Sequence, residues 1–133
     1  MEAQVSSKKF NPSDVIASLL TFMKEEFSND PQIIHTTIAR LKKDARYKDL
    51  LEGFDFLDYD PYPYSPLLGR TLNRLQESRL LSSINPNYET YFLNDKSREA
   101  IENQILKVRL ADQTQKLKEI ASELQSELEK APS

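Results

Sequence analysis

Apolar residues fall on the chain in helical steps for most of its length. Ile16, Leu19, Leu20, Met23 and Phe27 recur at i, i+3, i+4, i+7 and i+11, one face of a 3.6-residue helix. Asn11-Pro12-Ser13-Asp14 supplies a capping side chain and a proline at the first helical position. This pattern predicts an amphipathic helix ending near Ser28. Asp30-Pro31 starts a second helix by the same chemistry, with Ile34, Ile38, Leu41 and Ala45 as its inward stripe. Tyr47 to Leu51 reads as a short third helix closed by Gly53. Ser65-Pro66 opens a fourth, with Leu68, Leu72 and Leu75 inward and a span to about Arg79.

Two segments depart from helical spacing. Residues 54–64 hold five of the twelve aromatics and two prolines, which forbid a regular helix; a loop folding its aromatics over the core is expected. Residues 81–93 pair two strand-prone runs around Asn85-Pro86-Asn87, the chemistry of a β-hairpin. Beyond Asn94-Asp95 neither glycine nor proline interrupts the chain until the last residues. A helix from Lys96 to about Lys130 is predicted, longer than about 45 Å at ~1.5 Å per residue. Ile101, Ile105 and Val108 mark its first half. Leu110, Leu117, Ile120, Leu124 and Leu128 mark its second, close to a heptad seam from Leu117 onward. Asp112 and Gln113 interrupt the stripe between the halves. The seam has no obvious partner within the chain, so these five residues are the expected dimer interface, a coiled coil between two copies.

The implied organisation is a lead of residues 1–10 without structure, a domain over 11–95, and a long helix over 96–133. The fold class is mostly α (α+β). A length of 133 residues fits one domain with a modest core. Two glycines among abundant Leu, Glu, Lys and Arg disfavour an all-β architecture. Cysteine is absent, which removes disulfides, thiolate metal sites and a cysteine nucleophile. No apolar run approaches the roughly 18 residues of a membrane span. Met1 to Lys9 lacks the apolar centre of a signal peptide, so a cytoplasmic protein is expected.

Signatures of catalysis are missing. The sequence has no glycine-rich phosphate loop, no Gly-x-Ser-x-Gly, no His-Glu-x-x-His, and a single histidine, His35. Asp55, Asp58 and Asp60 match no calcium-loop spacing and read as exposed acids among packed aromatics. An enzyme is not expected, nor is a cofactor or metal. A net charge of −3 means that any nucleic-acid contact must be local.

Two basic groups meet that condition. With Leu68, Leu72 and Leu75 inward, Arg70, Asn73 and Arg74 face outward, with Arg79 at the helix end; Arg pairs bidentately with guanine and Asn with adenine. Gly69 and Thr71 would allow close backbone approach. A solvated helix face is the plainer explanation, and Glu77 on the same side supports it. Arg40, Lys42, Lys43, Arg46 and Lys48 place five cations in nine positions, suited to DNA phosphates. Asp44 and Asp49 dilute them, and cations also suit a helix C-terminus.

Phe54 to Leu93 resembles small prokaryotic and archaeal winged-helix proteins. The resemblance rests on Pro63-Tyr64-Ser65 stepping into the helix, on Leu68, Leu72 and Leu75, and on Leu80-Leu81 leading the strand to Leu93. It implies a winged-helix domain with a small β-hairpin wing, its tip at Asn85 and Asn87. It further implies a dimeric, sequence-specific transcriptional regulator that binds double-stranded DNA. The alternative from another class is an adaptor: a winged-helix scaffold whose partner is a protein.

Overall fold

The computed structural model describes residues 10–58, 61–84 and 90–130. Residues 1–9 of the expected lead over 1–10, the wing tip at Asn85 and Asn87, and Asp60 lie outside them. The described residues are mostly helical, with a small antiparallel sheet. In order come α1 (Pro12–Leu20), β1 (Glu26–Ser28), α2 (Pro31–Lys42), α3 (Lys48–Leu51), α4 (Pro66–Glu77), β2 (Ser82–Ile84) and β3 (Thr90–Phe92). Then follow α5 (Asp95–Ile101), a π-helical turn (Glu102–Leu106), α6 (Lys107–Arg109), a 3-10 turn (Ala111–Gln113) and α7 (Thr114–Lys130). The sheet order is β1-β3-β2, so the β2–β3 hairpin has β1 added at its far edge.

The predicted caps are in place. Asn11, Asp30, Ser65 and Asn94 each accept a backbone N–H of the first helical turn with their side chains. The first helix, however, ends at Leu20 rather than near Ser28. Phe27, on the predicted helical stripe, lies in β1 instead, opposite Tyr91 of β3. Their rings meet edge to face at 5.9 Å. Pairing with β3 satisfies the backbone there as well as a helix would, and it buries Phe27 to 5% exposure. Arg98 of α5 closes the shortened helix. Its guanidinium donates to the carbonyls of Thr21, Met23 and Leu93.

The single long C-terminal helix is also corrected. The chain breaks at Leu110, where the backbone leaves the helical region (φ −131°, ψ 20°). Upstream, the π-helical turn advances the inward face by one residue. Ile101, Leu106 and Leu110 are buried, while Ile105 is half-buried and Val108 is 69% exposed. After the break α7 turns back and packs on α1 and α2.

The expected dimer seam is therefore internal. Leu110, Leu117, Ile120, Leu124 and Leu128 are all at most 5% exposed within one chain. They complete the core that α1, α2, α4 and the sheet begin, so this stripe leaves no apolar face for a second copy. Residues 96–130 belong to the domain rather than projecting from it. Ala45, expected on the inward stripe of α2, lies past the helix end and is exposed.

Candidate nucleic-acid interface

The site is built on α4, and its N-terminus is anchored from below. The Ser65 hydroxyl accepts the Leu68 N–H at 3.1 Å. The Ser65 N–H in turn donates to Nδ1 of His35, on α2, at 3.0 Å. His35 is 2% exposed. Its ring stacks on Tyr64 at 4.5 Å between centroids, with Phe56 and Tyr62 also around it. Burial lowers the His35 pKa from 6.5 to about 4. At neutral pH the imidazole is uncharged, and the Ser65 contact places its proton on Nε2. The aromatic loop thus packs on α2 through one neutral histidine that also fixes where α4 begins. The sequence marks His35 only as a lone histidine beside Ile34. Nothing local signals a partner thirty residues away.

Along α4, Leu68, Thr71, Leu72 and Leu75 are buried, while Arg70, Asn73, Arg74 and Glu77 are exposed. The predicted inward and outward faces are both observed. Gly69 and Thr71 do not serve close approach from outside. A Cβ on Gly69 would lie 2.6 Å from the Tyr64 hydroxyl, so that glycine makes room for the tyrosine. Thr71 is fully buried and its hydroxyl donates to the Leu67 carbonyl at 2.8 Å. Among the described residues, neither Arg70 nor Arg74 has a carboxylate within ion-pair distance. Arg70 does border a shallow depression of about 300 Å³ that it shares with Gly53, Asp55, Leu57, Pro66 and Leu67. The Ser83 hydroxyl donates to the Gln76 side chain at 3.0 Å, tying β2 to the end of α4.

The second basic group divides. Arg40 reaches across to α7, pairing with Glu123 at 3.2 Å and Glu127 at 3.9 Å. Arg46 grips Asp44 through two guanidinium nitrogens at 3.1 and 2.8 Å and lies over the Tyr47 ring. That grip holds the Asp44 carboxyl down at about 2. Lys42 donates to the Phe54 carbonyl and lies 3.8 Å from Asp55. Lys43 and Lys48 are exposed and, among the described residues, carry no ion pair. Three of the five expected phosphate contacts are thus held by the protein's own acceptors, and two remain open.

Tyr47 adds a link that sequence reading does not supply: its hydroxyl donates to Glu119 of α7 at 2.9 Å. Among the described residues, no helix is long and apolar enough to cross a membrane. Comparisons with known families, characterised proteins and solved structures find no match to this chain.

Proposed function

We propose that this protein is a non-enzymatic, sequence-specific DNA-binding module of the winged-helix kind that acts in transcriptional regulation. In this reading α4 enters the major groove and Arg70, Asn73 and Arg74 meet base edges. Lys43, at the end of α2, and Lys48, at the start of α3, hold phosphates, and the β2–β3 hairpin flanks the duplex. One observation carries the reading: the outward face of α4 presents two arginines and an asparagine that no described carboxylate engages, on a helix anchored at its start and along its inner face. Access to DNA implies a cytoplasmic location. A palindromic operator would require a second copy joined by some surface other than the Leu117–Leu128 stripe.

Fluorescence anisotropy against a random duplex at about 50 mM salt tests this, because phosphate-driven binding is strongest at low salt. Micromolar binding that weakens as salt rises is the expected result. Arg70→Ala or Arg74→Ala should then cost about 1–3 kcal/mol on a selected site and relax preference at one base position. No binding at micromolar protein would overturn the DNA reading. A protein partner is the second reading, favoured by Asp55 and the 42% exposed Leu57 beside Arg70.

A further inference from the structure

The C-terminal corner of α4 holds a residue in a conformation that its own side chain disfavours. Arg79 has φ of 68°, the left-handed region, and it alone among the described non-glycine residues has positive φ. Around it the Arg79 N–H donates to the Gln76 carbonyl at 3.0 Å. The Leu80 and Leu81 N–H groups both donate to the Leu75 carbonyl, at 3.0 and 3.1 Å. This is the left-handed helix stop at which glycine is the usual residue, since a Cβ crowds the following carbonyl.

The fold dictates the turn: the chain must reverse there to bury Leu81, 1% exposed, and to begin β2 at Ser82. It does not dictate the arginine. The Arg79 side chain is exposed, and among the described residues it has neither an ion pair nor a hydrogen bond. A cation near a helix C-terminus gains from the macrodipole, but that gain needs no left-handed position and is already available to Arg74 within the last turn.

We infer that Arg79 is a phosphate-holding residue at the junction of α4 and the hairpin. The inference rests on the DNA reading above. A duplex that takes α4 in its groove and the hairpin beside it brings one backbone past the corner where the two elements join. A guanidinium there offers two parallel N–H groups to phosphate oxygens. A conformationally unfavourable residue is thereby explained by what it touches in the complex rather than in the free protein.

Three variants test this: Arg79→Gly, Arg79→Asn and Arg79→Lys. Arg79→Gly should raise Tm by about 2–4 °C, because strain is relieved. It should also weaken duplex binding about tenfold, with a salt dependence shallower by about one phosphate. Arg79→Asn, which tolerates the left-handed region, should lose binding to the same extent. Arg79→Lys should keep the salt dependence and lose only part of the affinity. Higher stability with weaker binding is a combination that a purely structural arginine does not produce. A lower Tm for Arg79→Gly would mean that the helix end needs the cation, and would overturn the inference. So would undiminished binding by the Gly and Asn variants while Arg74→Ala weakens; the DNA reading would then stand. If the wild type binds no duplex, both fall, and the first titration shows it.

Discussion

His35 ties three parts of the molecule together: α2, the aromatic loop and Ser65, the N-cap of α4. Its Nδ1 accepts from Ser65 only while unprotonated. Burial depresses its pKa from 6.5 to about 4. Below pH ~6.5 the unfolded chain therefore binds a proton that the folded chain refuses, and stability falls as pH drops from there to ~4. This residue's contribution is fully present above pH ~6.5, and the loss across the window is on the order of 3 kcal/mol. His35→Gln keeps an acceptor and does not titrate. Urea midpoints at pH 7.5 and 4.5 should show the variant less stable at the higher pH and the gap narrowing at the lower. A gap that stays constant would mean that His35 does not titrate in this way. Arg79 carries the opposite lesson at the same scale. A side chain can occupy a position that its backbone disfavours, and the predicted rise in Tm on its removal measures that cost.

Among the elements, α7 decides most. Leu117 and Ile120 are fully buried against the rest of the chain. Charge at Leu117 should therefore unfold the domain rather than separate a dimer. Leu117→Asp is expected to cost about 4 kcal/mol or more, since it places an unpaired carboxylate in the core. Thermal melts followed by circular dichroism, with light scattering on the same samples, check this. A folded, monomeric Leu117→Asp from a dimeric wild type would restore the coiled-coil expectation. The π-helical turn matters at this scale too. By moving the inward face from Ile105 to Leu106, it brings the chain to Leu110 in position to turn, and α7 can then lie back over α1 and α2.

For the whole molecule the governing quantity is where the cations are held. A net charge of −3 leaves no general basic field, so under the DNA reading binding would depend on which lysines and arginines lack internal partners. Arg40 is held by α7 and Arg46 by Asp44; among the described residues, Lys43 and Lys48 are not so held. Under the DNA reading, Lys43→Ala and Lys48→Ala should each weaken every duplex alike and lower the salt slope by about 1. Arg40→Ala should leave duplex affinity nearly unchanged, because it removes a pair between α2 and α7 rather than a phosphate contact. Anisotropy titrations over a salt series separate the two classes, and equal losses from Arg40 and Lys43 would contradict this division.

The sequence by itself determined what depends on neighbours a few residues apart. The four helix caps, the inward and outward faces of α4, the stop at the aromatic loop and the hairpin strands all follow from side chains meeting backbone within one turn, or from apolar spacing of 3.6 or 2. Only the tertiary structure decided what depends on distant partners. Phe27 left its helical stripe because β3 offered Tyr91, and the C-terminal seam turned inward because α1 and α2 lacked a cover. Arg40 lost its claim on phosphate to two glutamates more than eighty residues away. His35 acquired its role from Ser65 and the aromatic rings around it. An apolar stripe states that it will be buried, and a cation that it will find an anion. Neither names the partner, because burial and charge pairing are satisfied equally well by the same chain or by another, and only the path of the backbone selects between them.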